Sequence, residues 1–140
     1  MPLQHIEIVD SDPTAALVTQ RGLQVLLETE AEVTVAPSPD AAWLRCMNEE
    51  VDLLIVDPNP QSRAATSLVR ALRAYRPHLP VMVLTAYDTP RLRKHMQTLG
   101  VEHYLAKPID LLDLKQAVHT ALETHHLVDG LPISQSETVS

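Results

Sequence analysis

Strand-like and helix-like hydrophobic patterns alternate five times along this 140-residue chain, joined by short connections. That rhythm leaves few folds open. A strand, a helix and a following parallel strand close as a right-handed crossover, and a series of such units builds a parallel sheet with helices on both faces. Residues 5–9 read as the first strand. Asp12-Pro13-Thr14 then offers a capping carboxylate and a proline at the first helical position, opening a helix whose apolar side is expected at Leu17, Leu23, Val25, Leu26 and Leu27. A second strand falls at 31–36, and Ser38-Pro39-Asp40 starts a helix through Trp43, Leu44 and Met47. The third strand, Leu53-Leu-Ile-Val56, is apolar without alternation, as a central parallel strand covered on both faces would be. Helix three is expected over 62–75, with Leu68, Val69 and Leu72 inward and Arg63, Arg70, Arg73 and Arg76 on a solvated face. Strand four follows Pro80 at 81–84, and Thr89-Pro90 opens a helix that Gly100 ends. Strand five is expected at 101–105. Pro108-Ile109-Asp110 then leads into a helix with Leu111, Leu114, Val118, Ala121 and Leu122 on one side. The pattern fails near Leu127, so residues 1–126 are expected to form one domain, and 127–140 a C-terminal tail or linker.

Composition narrows the function classes. Hydrophobic residues make up 45% and charged residues 21%, an ordinary globular balance, and no apolar run approaches the roughly 20 residues a membrane helix needs. The N-terminus passes straight into a strand pattern without a signal segment, which places the expected location in the cytoplasm and away from membranes. A net charge of −7 argues against direct binding of nucleic acid by this domain. Cys46 is the one cysteine and reads as a buried small hydrophobe.

Chemistry concentrates at three strand ends: Asp57 closes strand three, Thr85 follows strand four, and Lys107-Pro108 follows strand five. In open parallel sheets the functional crevice lies beyond the carboxyl ends of the strands, so a carboxylate, a hydroxyl and an ammonium would meet there. The combination suits a phosphoryl group. The carboxylate can accept it, while the hydroxyl and the cation hold its oxygens.

These residues, in this order and at these separations, resemble the receiver domain of bacterial two-component response regulators. The resemblance covers about residues 4 to 125. It implies a doubly wound (βα)5 three-layer α/β sandwich of the CheY-like, flavodoxin-like kind, with strand order 2-1-3-4-5. It implies Asp57 as acceptor of a phosphoryl group from a sensor histidine kinase or phosphotransfer protein, with Thr85 and Lys107 as phosphoryl contacts and Lys107-Pro108 joined by a cis bond. Thr85 and Tyr104 would form the switch, which changes the face made by helix four, strand five and helix five and so signals to a downstream protein or a covalently linked output domain. Mg²⁺ is the implied cofactor, held by Asp10, Asp57 and the backbone carbonyl of Asn59. The chain would be a signalling module, not an enzyme acting on a separate substrate.

The pattern has two departures. Where receivers carry two adjacent acids after strand one, this chain has Asp10-Ser11, and serine is a much poorer ligand for a hard cation. Asp12 is a candidate substitute ligand and also stands where it would cap helix one. Pro58 follows the acceptor directly and removes an amide that receivers use to hold the phosphoryl group; Pro60 stiffens the loop further, and Tyr87 is bulky beside the site mouth. The metal site is therefore expected to be weak, and the alternative reading is a phosphorylation-independent pseudo-receiver that docks proteins. A flavin protein on the related topology is disfavoured because Asp10-Ser-Asp-Pro-Thr14 is a poor phosphate cradle. Arg91, Arg93, Lys94 and His95 make helix four basic while Asp110, Asp113 and Glu123 make helix five acidic, which gives an expected weak homodimer through that face. His119, Glu123, His125 and His126 read as exposed residues at a helix end, with no metal assigned.

Overall fold

The computed structural model describes residues 3–130, with the side chains of residues 3–123. It is an alternating α/β chain: β1 (Gln4–Asp10), α1 (Pro13–Leu27), β2 (Ala31–Val35), α2 (Pro39–Met47), β3 (Leu53–Asp57), α3 (Ala64–Tyr75), β4 (Val81–Thr85), α4 (Pro90–Thr98), β5 (His103–Ala106) and α5 (Leu111–Gly130). All strand pairs are parallel and the order is β2-β1-β3-β4-β5. This is the expected doubly wound sheet.

The period of two along the strands sorts the core into two layers. Val9, Leu54, Val56, Val81 and Val83 face α2, α3 and α4, against Ala42, Cys46, Leu68, Val69, Leu72 and Met96. Ile6, Ile8, Leu53, Ile55, Met82 and Leu84 face α1 and α5, against Leu23, Leu27, Leu114 and Val118. Every residue of β3 and β4 is buried, which explains their unbroken apolar runs.

Helix starts follow their local signals. The Asp12 carboxylate accepts hydrogen bonds from the Thr14 and Ala15 amides, Ser38 Oγ from Ala41, and Thr89 Oγ1 from Leu92, each ahead of a proline at the first helical position. Gly100, at φ +88°, turns the chain out of α4 in a conformation that favours glycine.

Several expectations are corrected. Leu17 and Val25 on α1 are 43% and 73% exposed. The inward stripe is Ala16, Leu23 and Leu27, with Gln20 and Gln24 beside it; Gln24 bonds the Ala31 carbonyl and the Val33 amide, and Gln20 the Val33 carbonyl. These amides satisfy the free edge of β2, a task no apolar side chain could do. Leu44 also faces solvent, because α2 buries Ala42 and Cys46 instead. Trp43 meets Tyr75 of α3 edge to face at 5.7 Å between ring centres. Arg73 and Arg76 are half-buried and engaged with the backbone: Arg73 donates to the Leu79 and Pro77 carbonyls and Arg76 to that of Cys46, tying the end of α3 to neighbouring loops. Helix α3 begins at Ala64, two residues later than expected, and β5 at His103, since Val101 belongs to the turn bonded back to Met96. Helix α5 is described as far as Gly130, beyond Leu127 where the apolar pattern fails. The rest of the expected tail, 131–140, and the side chains of His125 and His126 lie outside the described residues.

Candidate functional site

The sheet brings four chain segments to one edge. Asp10 and Asp57 are register partners at the ends of β1 and β3, and Thr85 ends β4 opposite Ala106 of β5. The Lys107 amide bonds the Thr85 carbonyl at 2.8 Å and fixes the chain just past β5, and the Lys107–Pro108 bond is cis. From that anchor the Lys107 ammonium reaches across two strands, to Asp10 Oδ2 at 2.8 Å and Asp57 Oδ2 at 3.1 Å.

Two carboxylates, each at most 6% exposed, thus share one cation, which leaves the cluster with one net negative charge. Burial works against the lysine's charge, but the hydrogen bonds and charges of Asp10 and then Asp57 outweigh it and raise its pKa. The remaining Asp10 oxygen accepts from the Asp12 amide at 2.9 Å. Asp57 Oδ2 receives a second, longer contact from the Ala86 amide at 3.4 Å, whereas Asp57 Oδ1 is buried with no hydrogen-bond partner among the described residues. A buried carboxylate oxygen without a donor is costly unless something else approaches it. Electropositive matter is what this atom calls for: a cation, or a phosphorus centre.

The surroundings leave room for either. A cleft of about 290 Å³ opens beside Asp10, Asp57 and Asn59, walled by Pro13, Val35, Pro37 and Pro39. Ser11 Oγ points to the Asn59 side chain, which donates to it at 3.3 Å, and Asn59 Oδ1 accepts from Gln61. Pro58, next after Asp57, is buried. Thr85 is fully buried and its Oγ1 accepts from the Tyr87 amide at 2.9 Å, so its own proton remains to be donated. Asp12 caps α1 through Oδ1.

The structure adds a cluster that strand-end reasoning missed. Tyr104 in β5 donates its hydroxyl to Asp88 Oδ1 at 2.9 Å; Arg93 of α4 pairs with Asp88 Oδ2 at 2.9 Å and stacks over the Tyr104 ring at 4.6 Å. Burial, then the Asp88 bond and charge, push the Tyr104 phenol up to about 12. A second missed network is buried: Glu7, 2% exposed in β1, accepts from Thr34 of β2 and pairs with Arg45 of α2 at 2.7 Å. Tyr104 lies 16 residues from Asp88, and Glu7 lies 27 and 38 residues from Thr34 and Arg45, so no local pattern foretells these contacts.

A family model of the response regulator receiver domain matches residues 6–119. The chain belongs to the response regulator receiver family. Among curated relatives it is 33% identical over 120 residues to the transcriptional regulatory protein GlrR of Escherichia coli, covering 85% of this chain and 26% of that protein. It is 30% identical over 122 residues to the DNA-binding transcriptional regulator NtrC of a Bradyrhizobium species, covering 87% of this chain and 25% of NtrC. The receiver thus spans about a quarter of the length of these relatives. A crystal structure of the signal receiver domain of an HD domain-containing protein from Pseudomonas fluorescens matches with a TM-score of 0.78 at 25% identity, over 89% of this chain and 98% of that one. Like its relatives, this receiver is a module of two-component signalling. No described helix is long and apolar enough to cross a membrane.

Proposed function

We propose that this receiver accepts a phosphoryl group on Asp57 from a sensor histidine kinase or phosphotransfer protein. The observation that supports this most is the unpartnered Oδ1 of a buried Asp57, held beside a lysine and facing a cleft. In the step itself an Asp57 oxygen attacks phosphorus, the bond from phosphorus to the donor's imidazole nitrogen breaks, and the nitrogen keeps the electron pair. The product is an acyl phosphate. Lys107 offsets the added charge, the Thr85 hydroxyl and Ala86 amide donate to phosphoryl oxygens, and no amide follows Asp57 because Pro58 has none. Catalysis by the chain is confined to making and hydrolysing its own acyl phosphate.

The oxygen-rich donor set fits Mg²⁺: Asp10, Asp57 and the Asn59 carbonyl would hold it, with Asp12 a poorer candidate because Oδ1 is committed to its cap. Bound there, Mg²⁺ would neutralise charge on the phosphoryl oxygens. The neutral Ser11 leaves the site one carboxylate short, so affinity is low.

When Thr85 turns to the phosphoryl group it gives up the Tyr87 amide, and the Asp88, Arg93 and Tyr104 cluster, one residue on, is loosened with it. The face of α4, β5 and α5 then changes and is read by a downstream protein or a covalently linked output domain, with weak self-pairing through the same face. The working location is the cytoplasm, and residues 1–126 suffice for the switch. The second reading, a phosphorylation-independent pseudo-receiver, draws on Ser11 and Pro58 together with a Lys107 bridge that already ties one oxygen of each acid.

Intact-protein mass after incubation with acetyl phosphate, with and without Mg²⁺, separates the two. One added phosphoryl group that requires Mg²⁺ and is lost in Asp57→Ala supports the first reading. No adduct on folded protein at high Mg²⁺ supports the second.

A further inference from the structure

A groove of about 540 Å³ runs between α3 and α4, next to the phosphoacceptor cleft, with which it shares Asn59 and Ser62 on its rim. Its walls carry Arg63 and Arg70 on the α3 side and Arg91 and His95 on α4, with Thr66 and Ser67 hydroxyls between them; no acidic residue lines it. On a chain of net charge −7 this is a local reversal of sign.

The arginines here also differ from the others. Arg45, Arg73, Arg76 and Arg93 each hold a carboxylate or a carbonyl. Arg21, Arg63, Arg70 and Arg91 have no partner among the described residues, and three of those four line this one groove. A solvated helix face intersperses charges of both signs. This one does not, and sequence reading of Arg63 and Arg70 as merely solvated misses Arg91 across from them.

We infer that the groove is a binding site for a compact anion carrying two or three phosphates. Arg63 and Arg70 stand about 10 Å apart along the helix and Arg91 faces them, so several anionic groups can be gripped at once, each in the forked geometry guanidinium offers to phosphate. The volume falls within the roughly 300–1,000 Å³ typical of small-ligand sites. A small anion suits the site better than a nucleic acid or an acidic protein, because a large polyanion would meet the chain's overall negative field. No Phe, Tyr or Trp lines the groove and its one ring is the His95 imidazole beside three guanidinium groups, so the phosphates and not a base dominate recognition.

The test is calorimetric titration of the protein with inorganic tripolyphosphate, pyrophosphate and ADP at low and moderate salt. Asp57→Asn serves as the control against binding in the neighbouring cleft. Expected are saturable binding that weakens at least fivefold on raising salt, retention in Asp57→Asn, and at least tenfold loss both in Arg70→Gln/Arg91→Gln and in Ser67→Asp, with unchanged thermal melts. ADP binding no tighter than pyrophosphate supports phosphate-only recognition; much tighter ADP binding overturns that part. Absence of saturable binding, or equal binding by the arginine variants, overturns the site. Binding of a poly-glutamate peptide without binding of tripolyphosphate overturns the ligand class.

Discussion

Lys107 decides the electrostatics of the site. It is 21% exposed and stands between two carboxylates that are each nearly buried, so removing it leaves like charges facing one another. Lys107→Met is expected to cost about 3 kcal/mol in urea unfolding at neutral pH, the scale of breaking a buried ion pair from one side. Tyr104 makes a second test. Its phenol, raised to about 12, favours the fold only while protonated: the contribution is complete below the unfolded value near 10 and is lost as pH rises through 12. An ultraviolet titration should therefore show one of the three tyrosines ionising late, and Asp88→Asn should bring that one back toward 10. Ser11→Asp probes the metal: adding the missing carboxylate is expected to tighten Mg²⁺ at least tenfold, read as a larger shift of the melting temperature at fixed Mg²⁺.

At the scale of elements, the sequence announces its own boundaries where the signal is local. Asp12, Ser38 and Thr89, each before a proline, cap α1, α2 and α4 as read, and the apolar run of β3 lies at the sheet centre. The convergence of Asp57, Thr85 and Lys107 was legible too, because parallel topology alone sends their strand ends to one edge. Illegible were features made by packing between distant segments: glutamines closing the edge of β2, Arg73 and Arg76 spent on carbonyls, and the Glu7 network, whose partners lie on β2 and α2. That network also holds α2 against β1. Arg45→Ala strands the Glu7 carboxylate, and a loss of about 2 kcal/mol in stability is expected, less than for a fully buried pair because the Arg45 side chain is 41% exposed. Glu7→Gln combined with Arg45→Ala should recover part of that loss in a double-mutant cycle.

In the whole molecule a two-layered core carries the candidate site on the rim of loops at one edge of its sheet. Asp57, Thr85 and Lys107 stand on strand ends, while Tyr104, Asp88 and Arg93 connect β5 with α4 on the face expected to carry output. The proposed acceptor, switch and output surface are thus neighbours at one sheet edge, and a charge added at Asp57 would have a short route to α4. Everything in that chain of cause depends on one covalent event. Borohydride reduction after incubation with a small acyl phosphate and Mg²⁺, followed by peptide mapping, locates it directly. Conversion of residue 57 to homoserine, and of no other carboxylate, is expected; modification elsewhere, or none in folded protein, would contradict phosphoryl transfer to Asp57.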